Sequence, residues 1–311
     1  MVPTGQQDAY VPTVRVQKVR RDHTLVKLAV FAVLALLVVV VAIFAQQLCP
    51  YDPYAQDLSQ ALQAPSSAHP AGTDRFGRDL LSRVIIGAQS SIFSTLALVA
   101  LIALIGTVLG VVCGWKSGML DVVIMRISDL FLAFPGLVFA LAIAAVLGGG
   151  MANAVLALAA ISWPKYARIA RGLTLAQKSE PYLAAARLSG SSTAQIVFRH
   201  ILPNIAGPLL VTAMLDIGTM MMELAGLSFL GLGAQPPTAE WGSMMSDSRN
   251  LLQTAPWTVM APGIAIFATV MVFNLLGDTV RDVMDPARRS EARGFLGRLR
   301  GKRGTPSRAR A

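Results

Sequence analysis

The chain is short of charge, of cysteine and of histidine, and each shortage removes a class of function. Only 14% of its 311 residues are charged, where a soluble domain usually carries about 25%. A large soluble core does not account for the deficit, because the apolar residues are gathered into runs. The two cysteines, Cys49 and Cys113, stand near the ends of different runs. On the topology read below they face opposite sides of a bilayer, so no disulfide is expected. His23, His69 and His200 fall in separate loops and give no metal-ligand spacing. No GxxxxGK(S/T) phosphate loop occurs, so the chain is not expected to bind or hydrolyse ATP. No Ser-His-Asp arrangement can be assembled, since His69 has no paired nucleophile that sequence identifies. Neither a catalytic residue nor a metal site is expected.

What is present is a series of long apolar runs, with a mean hydropathy of +0.57. Residues 28–45 (LAVFAVLALLVVVVAIFA) hold no polar side chain. As a helix this run covers roughly 27 Å, close to a hydrocarbon core of about 30 Å. It is longer than the apolar centre of a secretory signal, no clean cleavage site follows, and other runs come later; an anchor is expected. Runs at 92–115, 122–147, 152–163 (or a turn or two beyond it), 205–230 and 257–276 bring the count to about six, or five if the alanine-rich fourth does not fully cross. Gly106, Gly110, Pro135, Pro208 and Pro262 fall inside them, where neighbouring helices or side chains can satisfy freed backbone groups. The expected fold class is an all-α integral membrane protein.

Charge supplies the orientation. The tail 1–27 carries Arg15, Lys18, Arg20, Arg21 and Lys27 against Asp8 and Asp22. The segment 165–203 carries Lys165, Arg168, Arg171, Lys178, Arg187 and Arg199 against Glu180, and the tail 277–311 is basic from Arg281 to Arg310. With six crossings all three fall on one side, which the positive-inside bias makes cytoplasmic, with both termini there. The loop through 46–91 and the loop 231–256 then face outward. This placement accounts for the net charge of +10 without nucleic acid, because the basic residues adjoin apolar runs where anionic membrane lipids are available.

The interruption between the fourth and fifth runs carries the most local structure. Ser179 is placed to cap a helix whose first turn holds Glu180 and Pro181. The run 182–188 is strongly helical and Gly190 is placed to end it. Ser192 with Gln195 fits a capping box, and Ala194, Val197, Phe198 and Ile201 recur as one apolar stripe. Pro203 then interrupts the backbone bonding. Two short helices at the cytoplasmic surface are expected, either for packing alone or as a knob that another protein grips.

These residues resemble the permease subunits of bacterial ATP-binding-cassette importers, of the dipeptide, oligopeptide and nickel type. The family signature reads E-A-A, three residues, G, and later I-x-L-P. Here stand Ala184-Ala185-Ala186, Gly190, and His200-Ile201-Leu202-Pro203. Ala184 replaces the usual glutamate, with Glu180 one turn earlier, and His200 replaces the isoleucine. Three more stretches match in order: GTDRFGRD at 72–79 with Ser82-Arg83, GLSFLGLGAQPPTAEWG at 226–242, and NLLGDTVRDVMDP at 274–286. The resemblance implies a membrane subunit, itself no enzyme, that forms half of a translocation path. Its implied partners are a second homologous permease, two cytoplasmic ATPases that bind ATP and Mg, and an external solute-binding protein. The residues implied for ATPase coupling are Glu180, Tyr182, Ala184, Ala185, Ala186, Arg187, Leu188, Gly190, His200, Leu202 and Pro203. The solute is a dipeptide or oligopeptide first; nickel or a nickel chelate, glutathione-like solutes, and a passive channel or scaffold stand as alternatives.

Polar groups within the runs point to a path or a subunit interface. Arg126 and Asp129 are spaced to pair along a helix. Asp216 and Glu223, seven apart, share a face. Met220, with Met221 and Met222, offers either adaptable packing beside a moving surface or ordinary core filling.

Overall fold

The computed structural model describes residues 24–284. The basic clusters at 15–21 and 288–310, and the end of the last matching stretch at Asp285-Pro286, lie outside them. Among the described residues there is no β-strand, only an isolated bridge between Thr73 and Asp79.

Helix α1 (Thr24–Ile43) is followed by a single turn, α2 (Ala45–Leu48). A long loop leads to α3 (Leu80–Lys116), then to α4 (Met119–Ala133) and α5 (Gly136–Val146). Next come α6 (Met151–Lys178), α7 (Pro181–Leu188) and α8 (Thr193–Ile196). Helices α9 (Leu202–Phe229), α10 (Trp241–Ser248) and α11 (Trp257–Met284) complete the described residues.

Among the described residues four helices are long and apolar enough to cross a membrane: α1, α3, the continuous α8–α9 helix Thr193–Phe229, and α11. Large apolar side chains stay exposed along their outer faces, among them Leu36, Leu104, Leu210 and Phe267. That surface suits hydrocarbon rather than water. The expected count of six meets two local departures. The third run is broken: α4 and α5 meet at 96°. Phe134, in front of proline, is extended at φ −100° and ψ 151°, as the proline ring requires of its predecessor. The fourth run extends well past the turn or two expected beyond residue 163: α6 continues through Lys165, Arg168 and Arg171 to Lys178, so residues 165–178 of the expected interhelical segment belong to this helix.

Helices α3 and α6 make the most extensive contact in the molecule, and glycine is the reason. Gly106, Gly110 and Gly114 lie at i, i+4 and i+8 along α3. A Cβ at these positions would stand 2.6 Å from the Trp163 carbonyl oxygen, 2.3 Å from that of Ala167 and 2.9 Å from that of Arg171. Small residues let membrane helices approach to backbone contact. The buried face opposite is built of Ala167, Ala170 and Thr174. The main core continues from this pair onto α5 and α9 through Leu98, Ile102, Leu158, Ile205 and Leu224.

The opposite end of the bundle is held by buried charge. Asp79 caps α3 by accepting from the Ser82 amide at 2.8 Å, and pairs with His69 Nδ1 at 2.9 Å. His69, for which the sequence identifies no paired nucleophile, is thus part of a structural brace. Asp74 takes Arg78 at 2.6 Å and Arg83 at 3.6 Å. Glu240 caps α10 by accepting from the amides of Gly242 (3.0 Å) and Ser243 (2.8 Å), and takes the Ser91 hydroxyl of α3 at 3.2 Å. Burial, the largest influence, raises the Glu240 carboxyl above its ordinary value in spite of the hydrogen bonds it accepts. Trp241 Nε1 donates to the Val84 carbonyl at 2.9 Å, closing the same joint.

Candidate functional site

The short helices between α6 and α9 form a knob whose ends are set by local chemistry. Ser179 does not cap α7. It closes α6, with its hydroxyl on the Ala176 carbonyl at 2.8 Å, and Glu180 holds the N-cap position in extended backbone without a side-chain cap bond. Its carboxylate still lies at the positive end of the helix, and Pro181 presets the first turn. At the other end the Gly190 and Ser191 amides bond back to Arg187 and Ala186 at 3.0 and 3.1 Å. Gly190 has φ +84°, the left-handed turn that ends a helix at glycine. The capping box of Ser192 and Gln195 is present in both directions.

The expected apolar stripe is displaced. Ala194 and Phe198 are exposed, while Ile196 and Ile201 are buried and Val197 is half-buried. The cause is a π-helical turn, Val197–Ile201, that joins α8 to α9 and shifts the register of the face. Widening at that point also lets Pro203, which has no N–H, sit in the first turn of α9 without ending the helix.

The knob is anchored from beneath. Leu183 is fully buried in the main core. The Tyr182 hydroxyl donates to Gln177 of α6 and accepts from Asn204 Nδ2 of α9 at 2.9 Å, with the His200 ring 6.2 Å away. Arg187 lies over the Trp115 ring of α3 at 5.0 Å. The candidate coupling residues therefore divide. Ala186, His200 and Leu202 are half-buried, and Tyr182 and Arg187, though exposed, make side-chain contacts to other helices. Glu180, Ala184, Ala185, Leu188, Gly190 and Pro203 are exposed, Leu188 to 91%; Phe198, in the turn after α8, is 72% exposed. A large aliphatic and an aromatic side chain exposed on a short, capped knob form a surface suited to docking.

The residues set apart as path or interface candidates are mostly engaged in pairs. The basic residues of α6 step by three and meet acids on two neighbours. Lys165 reaches Asp216 of α9 at 2.5 Å, Arg168 takes Asp129 of α4, and Arg171 holds Asp121 of α4 through two bonds of 2.5 and 2.6 Å. Arg126 lies 3.9 Å from Asp129, so the expected pairing within α4 is the looser of that acid's two contacts. Asp216 is buried and Glu223 half-buried on the same helix. Met220 and Met221 pack into two different cores, and Met222 is exposed. Asp121, Trp115, Gln177 and Asn204 were not singled out from sequence. The spacing of Lys165, Arg168 and Arg171 was the available signal, since it predicts one charged helix face that needs acids opposite.

The fold defines a multi-span membrane protein with a braced knob at one end. Residues 106–290 match the family described as binding-protein-dependent transport system inner membrane component, and residues 27–65 match the N-terminal TM domain of oligopeptide transport permease C. The chain belongs to this family of importer permeases. It is 43% identical over 271 residues to the glutathione transport system permease protein GsiD of Pectobacterium atrosepticum, covering 87% of this chain and 89% of that one. It is 45% identical to the probable D,D-dipeptide transport system permease protein DdpC of Escherichia coli, covering 82% and 86% of the two chains. To the dipeptide transport system permease protein DppC of Alkalihalophilus pseudofirmus it is 42% identical, with 81% and 83% covered.

Proposed function

We propose that this permease serves an importer of short peptides or peptide-derived solutes and that residues 180–203 take up the movement of cytoplasmic ATPases. The substrate reading rests on the relatives, whose names specify glutathione, a D,D-dipeptide and dipeptides. The observation that carries the coupling reading is the knob itself: turned at Gly190 and the Ser192–Gln195 box, anchored by Leu183 and Tyr182, and exposing Leu188 and Phe198 outward. Six crossings follow if α6 and the bent α4–α5 pair each count as one with the four apolar helices. The knob, the C-terminal end of α11 and the N-terminal end of α1 then share the cytoplasmic side, in agreement with the positive-inside bias.

In this reading a second permease subunit completes the path, an external binding protein delivers solute, and the ATPases bind ATP and Mg and grip the knob. Binding of ATP draws the ATPases together, and the knob carries that movement into α6 and α9. Gly190→Leu tests the assignment. A side chain there meets nothing within 4 Å but must adopt φ +84°, a strain of roughly 1–2 kcal/mol confined to the turn. Insertion and assembly should persist while ATP-dependent uptake of dipeptide, glutathione or nickel by the reconstituted transporter falls. Normal uptake by the assembled variant refutes the coupling role, and uptake of nickel alone refutes the peptide reading.

A further inference from the structure

Trp115 stands at the last turn of α3, where α6 and α7 converge on it. Its carbonyl accepts from Lys178 Nζ at 2.7 Å; that ammonium also reaches Ser117 Oγ at 3.3 Å and lies 5.8 Å from the centre of the indole. The Arg187 guanidinium of α7 lies over the same ring at 5.0 Å. One indole thus takes a cation from each of two helices. The ring quadrupole attracts a cation within about 6 Å, and a planar guanidinium stacks on it with less loss of hydration than an ammonium.

The two contacts differ in kind. Lys178 belongs to α6, is bonded to the backbone of α3, and places positive charge at the carbonyl end of that helix. Arg187 lies beyond the break at Ser179 and Glu180, and among the described residues no carboxylate pairs with it. Lys178 therefore fixes α6 to α3, and the ring is what holds the far end of α7 to that pair.

We propose that Trp115 is a positioning residue for energy coupling: its indole keeps α7 in register with the α3–α6 pair, so that a movement imposed on the knob reaches α3 as well as α9. The glycine contacts at 106, 110 and 114 make α3 and α6 move together. Tyr182 and Asn204 make the corresponding tie to α9. The inference rests on the reading of residues 180–203 as the segment that ATPases grip.

The test uses the full transporter, reconstituted with its ATPases and binding protein, and reads solute moved per ATP hydrolysed. Trp115→Ala should lower that ratio by about threefold or more, the scale of a cation–indole contact. Trp115→Phe, which keeps an aromatic face, should restore most of it. Adding Arg187→Gln to Trp115→Ala should lower it no further, because both remove one contact. A merely structural role would reduce yield and thermal midpoint and leave the ratio unchanged in the assembled fraction. An unchanged ratio in Trp115→Ala, or losses that add in the double variant, overturns the proposal. If Trp115→Ala fails to assemble, Arg187→Gln at an exposed position decides alone: a normal ratio overturns it. Gly190→Leu separates the two levels. If it transports normally, the coupling segment and this proposal fail together; if it uncouples while Trp115→Ala does not, the indole contact alone fails.

Discussion

Replacing Gly110 by alanine adds one methyl group at the tightest point of the α3–α6 contact. The new Cβ would lie 2.3 Å from the Ala167 carbonyl oxygen, 2.7 Å from the Ala170 Cβ and 2.9 Å from the Arg171 nitrogen. Two of these three are backbone atoms, so no side chain can swing aside. Restoring an ordinary contact requires the helices to separate by about 1 Å over their most extensive interface. Overpacking of this kind costs about 1–3 kcal/mol, offset by about 0.5–1 kcal/mol from the better helix propensity of alanine. A net loss of about 1–2 kcal/mol follows. Gly172, on α6 in the same region, supplies the internal control: a Cβ there meets nothing within 4 Å. Gly172→Ala should therefore gain about 0.5–1 kcal/mol from propensity alone. Thermal unfolding of the purified variants in detergent, read by loss of the monodisperse peak, gives both signs in one experiment. A Gly110→Ala protein as stable as Gly172→Ala would refute the close-contact account.

Removing Lys165 as Lys165→Met leaves the buried Asp216 carboxylate without its ammonium partner. An unpaired buried charge costs about 3–5 kcal/mol. The figure falls to about 2 kcal/mol here, because the lysine is half exposed and solvent already screens the pair. Asp216→Asn in the same chain should recover most of the loss in thermal midpoint; a double variant no better than Lys165→Met would contradict the pairing. At the outer joint, Glu240 has a raised value in the folded protein, so the fold binds its proton more tightly than the unfolded chain does. Its stabilising contribution is full at low pH and is lost as pH rises from the ordinary 4.5 through the raised value. The thermal midpoint of Glu240→Gln, subtracted from that of the parent, should show this decline, and a flat difference across the window would remove Glu240 as its source.

Much of the membrane fold was legible because hydropathy acts residue by residue. The run at 28–45 needed no partner to be recognised as α1. The turn at Gly190 and the Ser192–Gln195 box were equally readable, since they act within a few residues of chain, whereas the cap expected from Ser179 closes α6 instead. What was hidden depended on neighbours. The extension of α6 to Lys178 is stable because Asp121, Asp129 and Asp216 come to meet its charges from other helices, which a window on residues 152–163 does not contain. The displaced stripe after Ser192 follows from a π-helical turn that widens one step of the helix and leaves no simple period in the sequence. Tyr182 and Arg187 were singled out for contact with a motor; both are exposed, and their bonds to Gln177 and Asn204 and the Trp115 ring contact come from other helices that a local window does not contain.

The unbroken passage from α8 into α9 has a mechanical consequence. Thr193–Phe229 forms one helix of 37 residues, about 55 Å long at 1.5 Å per residue. Pivoted at its foot in the knob, this helix turns a tilt of about 5° into a sweep of about 5 Å at the far end, beside Phe229 and the joint with α10, on that length.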